Sequence, residues 1–194
     1  AYKLGAVMLV FFWLTLREAS KHLSAAFVER LEAKHRLARQ ATHDFLTGLP
    51  NRAAFLQALA DTRGDFAIIA IDLDGFKPVN DRHGHHAGDD LLRQVAERLS
   101  FCIGGTGLAA RFGGDEFMML KPVAAGKDGR EEALALARRA ILDLSIPFLL
   151  TDIPVRIGSS AGILVSAGAA AAVATAQLPE QVDCALYATQ RSGA

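Results

Sequence analysis

The chain reads as an α/β (α+β) domain, a mixed sheet with helices on its faces, behind an N-terminal helical arm. Three observations predict this class. Phe66-Ala67-Ile68-Ile69-Ala70-Ile71 is a continuous apolar run rich in β-branched side chains, the pattern of a buried strand. Residues 108–110 and 118–120 are apolar and flank Arg111-Phe112-Gly113-Gly114-Asp115-Glu116-Phe117, which reads as two strands joined by a tight turn. Between these segments Leu91, Leu92, Val95, Ala96 and Leu99 recur at helical spacing. Strands that alternate with helices, with one hairpin among them, give a sheet covered by helices.

The arm differs from the rest. Residues 4–16 contain no charge, but thirteen residues fall short of the ~20 that span a bilayer. No small-residue cleavage site follows, so a signal peptide is disfavoured. Residues 1–16 read as the end of a membrane helix, with Trp13 near the interface and Arg17 and Lys21 on the cytoplasmic side. The alternative is a helix that packs on a partner. Residues 17–43 are largely charged, Ala/Leu-rich and free of Gly and Pro, which suits one long helix. Leu16, Leu23 and Leu37 lie on a heptad seam interrupted at Ser20, Arg30 and Lys34, so a coiled-coil-like signalling helix and a solvated linker both remain open.

Residues 44–194 form the main domain. Gly48 and Pro50 break the long helix, and Asn51 caps a new one carrying Phe55, Leu56 and Leu59. The strand at residues 66–71 follows, then a helix opened by Gly88 and Asp89, the hairpin, and an amphipathic helix over residues 131–144. Residues 155–160 read as a strand and residues 161–166 as its continuation. Residues 167–176 are low-complexity Ala/Gly, and a short helix is expected over residues 182–190. The 194 residues are 51% apolar, which is enough for a sizeable core. The formal net charge of +0 gives no support for a nucleic-acid partner. Cys102 and Cys184 have neither metal nor redox spacing and read as small buried residues in a reducing compartment.

The chemistry sits at two acidic tips. Asp72-Leu73-Asp74 ends the buried run, and carboxylates there are costly without a cation or hydrogen-bond partner. Gly113 and Gly114 permit a sharp turn and the close approach of a ligand, beside adjacent Asp115 and Glu116 that repel each other unless a cation is present. Alone, the second tip also reads as an ordinary solvated hairpin. Together the two tips suggest a divalent-metal site assembled from distant parts of the chain. Phe76, Lys77, Asn80, His85 and Asp89 follow the first tip. Lys77 supplies a point charge suited to phosphate. The Asn80 amide and an accepting Asp89 carboxylate suit a base edge.

These residues resemble the GGDEF domain, the catalytic domain of diguanylate cyclases, over about residues 44–193. The resemblance rests on Asp44-Phe45-Leu46-Thr47-Gly48-Leu49-Pro50-Asn51-Arg52, on residues 72–81, on Gly84-His85-His86-Ala87-Gly88-Asp89, on the segment 111–117 and on Ala185-Leu186-Tyr187. It implies an antiparallel-rich sheet like that of nucleotide cyclases and polymerase palms. It also implies condensation of two GTP into cyclic di-GMP with release of pyrophosphate, in a dimer of facing domains. By resemblance, Asp72 and Asp115 bind Mg²⁺ (or Mn²⁺) by side chain and Leu73 by its carbonyl, with Glu116 as a further candidate. Asp115 is the candidate base or metal-bound orienter. Lys77 stabilises the transition state, and the Phe76 backbone N–H contacts phosphate. Asn80 and Asp89 recognise guanine, His85 lies at the nucleotide, and Gly113 and Gly114 leave room for GTP. Asp74 reads as structural, Asp81 and Asp90 as solvated or capping, His83 and His86 as exposed, and Arg52 as an ion-pair partner for a sheet carboxylate.

Two departures stand out. Where many active relatives carry Lys and Arg after the Tyr187 position, this chain has Gln190 and Ala194; Arg191 lies one residue away. Where many relatives carry the Arg and Asp of an inhibitory product site, it has Gly104 and Gly107, so no such site is expected. The leading expectation is an Mg²⁺-dependent cyclase in a cytoplasmic domain tethered to a bacterial inner membrane. The runner-up is a GTP-binding regulatory module that controls a neighbour such as a downstream phosphodiesterase. An upstream sensor fits either. Related chains usually continue past the position of Ala194, which implies a piece of a longer protein.

Overall fold

The computed structural model describes residues 41–150 and 153–166, together with Arg17. The expectations placed on residues 1–16, on the helix after Arg17, on the helix at 182–190, and on Cys184, Gln190, Arg191 and Ala194 lie outside the described residues.

The central strand is β1 (Phe66–Asp74). It pairs antiparallel on one side with β3 (Glu116–Pro122) and on the other with β6 (Gly158–Ser166), and β3 pairs antiparallel with β2 (Leu108–Gly113). The order is β2-β3-β1-β6. Helix α1 (Arg52–Asp61) covers one face, where Phe55 and Leu59 pack on Phe66, Ile68, Ala70, Ala110, Met118 and Leu120. The long helices α3 (His85–Ile103) and α4 (Lys127–Ser145) cover the other, where Leu91, Val95, Leu99, Ala137, Ala140 and Leu144 pack on Ile69, Ile71, Leu73, Phe117 and Met119. β1 is therefore apolar without alternation because both of its faces are buried. Cys102 is free and buried on α3.

The structure changes four boundaries. β1 continues through Asp72, Leu73 and Asp74, which stay paired with Ser160, Ser159 and Gly158 of β6; the acidic residues belong to the strand and do not follow it. A short helix, α2 (Phe76–His83), comes next and was not expected. Pro78 hid it, yet a proline in the first helical turn gives up only an N–H that has no partner in the helix. Helix α3 opens at His85, so Gly88 and Asp89 lie inside it. Residues 155–166 are not one strand: Val155 ends β5 (Ile153–Val155), which pairs with β4 (Phe148–Leu150), and only β6 joins the main sheet. Arg98 of α3 fixes that small hairpin. It donates to the carbonyls of Asp143, Ile146 and Pro147 at the end of α4, and its guanidinium lies 3.7 Å from the Phe148 ring centre.

The segment before α1 is a brace. Asn51 caps α1 as expected, its Oδ1 accepting from the Ala54 N–H at 3.0 Å. Asp44 Oδ1 accepts from the Thr47 N–H at 2.9 Å and the Thr47 hydroxyl at 2.6 Å. It also accepts from Arg111 Nη1 at 2.9 Å, an ion pair in which both side chains are mostly buried. Arg111 donates in turn through Nε and Nη2 to the Gly114 carbonyl, at 3.1 and 2.7 Å, and its backbone N–H donates to the Pro50 carbonyl. One arginine thus ties the tip of the β2–β3 hairpin to the loop that starts the domain. Burial pushes the Asp44 carboxyl up, but the hydrogen bonds from Thr47 and Arg111 and the guanidinium charge outweigh it and hold it below the ordinary 3.8.

Because that pKa is lowered on folding, the stabilisation is complete above the ordinary value and is lost as pH falls through the folded one. Asp44→Asn is expected to lower the unfolding free energy by about 1–2 kcal/mol at pH 7. In urea melts the difference between variant and parent should shrink as pH falls below 3.8 and vanish once it passes the lower folded value, where the native Asp44 loses its charge. Equal stability at pH 7 would contradict the brace.

Candidate active site

The face that α1 covers farther along the sheet carries carboxylates at its open end. Asp72 on β1 stands directly opposite Glu116 on β3. Residues opposite each other in an antiparallel pair have their Cβ atoms about 5 Å apart, so these like charges crowd. Asp115 sits beside Glu116 in the two-residue turn that follows Gly113, where Gly113 (φ +155°) and Gly114 (φ +49°) take backbone angles that favour glycine. Burial pushes the Asp72 carboxyl above its ordinary value, and the charges of Asp115, Asp74 and Glu116 push it further the same way. No cation among the described residues offsets them.

Asp74 has its own partner. It is exposed, and the Ser160 hydroxyl donates to its carboxylate at 3.0 and 3.1 Å, in keeping with the structural role read from the sequence. Gly158 leaves it space, because a Cβ there would lie 3.1 Å from the Asp74 carboxylate. The Leu73 side chain is buried in the opposite core, so any ligand role for this residue would fall to its carbonyl.

A helical corner stands next to this end. Gly75, at φ +85°, turns the chain from β1 into α2, placing Phe76 and Lys77 in the first turn with their N–H groups unclaimed by the helix. Lys77 is exposed, and Phe76 is half-buried against the main core. Gly84, at φ +84°, ends α2 and starts α3, and its N–H donates to the Asn80 carbonyl. His85 is exposed at the first residue of α3, and Asp89, one turn on, is half-buried. His86 and Asp81 are exposed, His83 is half-buried, and Asp90 accepts from Gln94, which also donates to the Leu149 carbonyl.

Arg52 is not the ion-pair partner expected of it. Its guanidinium lies over the Phe112 ring, 5.7 Å from the centre, and it is Arg111 that pairs with Asp44. Sequence reading missed the roles of Arg111, Asp44 and Thr47. All three stood in the quoted motifs, but a pairing between residues 44 and 111 has no local signal.

At the other side of the hairpin, Gly104 (φ +68°) lies in a 3₁₀ turn, Gly104–Thr106. Gly107 packs so closely that a Cβ would lie 2.5 Å from the Ile103 side chain. A cavity of about 380 Å³ opens beside this turn, lined by Phe101, Gly104, Lys121, Glu132, Leu136 and Arg139 among others.

The chain matches the family described as diguanylate cyclase, GGDEF domain, over residues 41–194. It is 41% identical over 144 residues to the bifunctional diguanylate cyclase/cyclic di-GMP phosphodiesterase MucR of Pseudomonas aeruginosa, covering 70% of this chain and 20% of that protein. It is 40% identical over 167 residues to diguanylate cyclase TpbB of the same species, covering 80% of this chain and 36% of that one. The chain therefore spans about a fifth to a third of the length of these curated relatives. Among solved structures it is similar to the coiled coil and GGDEF domain of DgcB from Caulobacter crescentus in complex with c-di-GMP (TM-score 0.73, 31% identity, 91% of this chain and 95% of that chain). It is also similar to the GGDEF domain of TpbB (TM-score 0.65, 34% identity, 78% and 90%). With its acidic strand end, its Gly-Gly-Asp-Glu turn and the helical corner beside them, the chain belongs to the GGDEF domain family of diguanylate cyclases.

Proposed function

We propose that this domain is a diguanylate cyclase that joins two GTP molecules into cyclic di-GMP and releases two pyrophosphates. The observation that carries the reading is the crowding of Asp72, Asp115 and Glu116 at one sheet end, beside a helix start that presents Lys77.

The donor set fits Mg²⁺. It consists of hard carboxylate oxygens; burial first, and then the neighbouring carboxylates, push the Asp72 carboxyl up, and a cation would relieve the repulsion. Among the described residues no three acidic, His or Cys side chains stand close enough to cage an ion by themselves. That suits Mg²⁺, which binds through one or two carboxylates together with substrate phosphates. Asp72, Asp115 and the Leu73 carbonyl would hold it, with Glu116 in reserve; Mn²⁺ suits the same donors. Once bound, the ion neutralises phosphate charge and acidifies the attacking hydroxyl.

The chain's own groups do the rest. Asn80 and Asp89 hold the guanine edge, with His85 at the nucleotide. The Phe76 N–H and the Lys77 ammonium bind phosphate, and Lys77 offsets the charge that builds on it. The Asp115 carboxylate orients the 3′-hydroxyl of the facing GTP and accepts its proton. The 3′ oxygen bonds to the α-phosphorus, the bond to the β-phosphate oxygen breaks, and pyrophosphate leaves. Each domain aligns one GTP, so ring closure needs a second copy facing the first. The heptad-like run after Arg17 supports that pairing by raising the local concentration of the partner. The uncharged residues 4–16 support a membrane tether, although no helix among the described residues is long and apolar enough to cross a membrane. MucR, by its name, joins a cyclase to a phosphodiesterase, and a similar neighbour fits this chain.

Incubation with GTP and Mg²⁺, followed by chromatography, should yield cyclic di-GMP from the parent, increased by forced dimerisation. Asp115→Ala should yield none. Product formation that survives Asp115→Ala would refute the metal and base assignment. GTP bound without turnover by the parent would mark a regulatory module.

Gly104 and Gly107 offer no charged side chain to a product phosphate. Turnover should therefore continue as cyclic di-GMP accumulates. Saturable inhibition that depends on residues 104–107 would contradict this.

A further inference from the structure

Gly88 is the glycine of this site whose identity the backbone does not explain. It lies inside α3 and is buried, with no left-handed angle to demand glycine. Alanine is the better helix former. What excludes a side chain is Asn80: a Cβ on Gly88 would lie 1.8 Å from Asn80 Oδ1, 2.8 Å from its Cγ and 3.3 Å from its Nδ2. These are the three nearest atoms, and all belong to that one amide.

The arrangement follows from the corner. Gly84 joins α2 to α3, and Asn80 and Gly88 each stand four residues from it, one helical turn down either arm. Residues so placed on helices that pack together face each other. Among the described residues no hydrogen bond holds the Asn80 amide. Its orientation is set by shape: Oδ1 lies against Gly88, and among the described residues no protein group claims the Nδ2 donors.

We propose that Gly88 is a specificity-determining positioning residue, the seat on which the Asn80 amide rests so that it presents its edge to guanine. The proposal rests on the nucleotide reading above. The clash is with a rotatable side chain and not with backbone. A methyl at residue 88 therefore leaves the fold a way out: Asn80 swings aside, the helix persists, and base recognition is lost.

The test is a double-mutant cycle of Asn80→Ala and Gly88→Ala in the whole chain. Calorimetry measures the affinity for GTP and for ATP with Mg²⁺, product formation is measured at saturating GTP, and urea melts check folding. Asn80→Ala should weaken GTP about tenfold and narrow the preference over ATP, as expected when one directed hydrogen bond to a base is lost. Gly88→Ala should do the same, with an unchanged or higher urea midpoint and a smaller loss of rate at saturation. In the Asn80→Ala background, Gly88→Ala should add nothing.

Unchanged GTP/ATP preference in Asn80→Ala would overturn the guanine reading itself. Loss in Asn80→Ala without loss in Gly88→Ala would overturn the seat and leave that reading standing. Full additivity would also overturn the seat, since residue 88 would then act without Asn80. Should Gly88→Ala fail to fold, recovery of folding in the double variant supports the seat and failure to recover overturns it.

Discussion

Like-charge crowding at one end of β1 is the constraint to which the rest of the structure answers. Asp72 and Glu116 are paired across two strands, Asp115 is fixed in the adjoining turn, and Asp74 lies two residues along the same strand. Left alone, such an end frays, because separating the strands relieves the repulsion. The fold prevents this with apolar anchoring directly behind the charges. Ile71 and Leu73 point into the core under α3, and Phe117 follows Glu116 into the same core. The charged positions thus lie on the face opposite Ile71, Leu73 and Phe117, half-buried at Asp72 and exposed at Asp74 and Glu116. A slip of one residue would carry the carboxylates into that core.

Two further devices hold the acidic end in shape. The Asp44–Arg111 pair clamps the hairpin tip by the Gly114 carbonyl, so the residue before Asp115 has a fixed position. On the opposite side β6 lends Ser160 to Asp74, giving that carboxylate a hydrogen-bond donor of its own. What remains is a set of carboxylates held together by structure and repelling by charge, with the start of α2 and its exposed Lys77 next along the chain. On the function proposed above, such a site would be completed by a cation and a polyphosphate together.

Much of this was legible in the sequence. The apolar run at residues 66–71 and the hairpin announced themselves because both depend on local pattern, and the Asn51 cap on local chemistry. The acidic tips were legible as unusual residues at the ends of apolar runs. The boundaries were not. Strand β1 extends through Asp74 because β6 is there to pair with it, which no window on residues 66–74 reveals. Helix α2 was masked by Pro78, whose first-turn placement is evident only once Gly75 is known to turn the chain. The break between β5 and β6 depends on which strand each segment meets. The roles of Arg111 and Gly88 were hidden for the same reason, since each answers to a side chain brought near by the fold.

Joint capture of the cation by carboxylates and nucleotide phosphates is the central part of the proposed function. The direct measurement is a calorimetric titration of Mg²⁺ into the protein, alone and with a GTP analogue that cannot react at the α-phosphorus, repeated for Asp72→Ala. The account predicts weak binding alone, a gain of about tenfold or more with the analogue, and loss of that gain in Asp72→Ala. Equal affinity with and without the analogue, or a gain that survives Asp72→Ala, would contradict it.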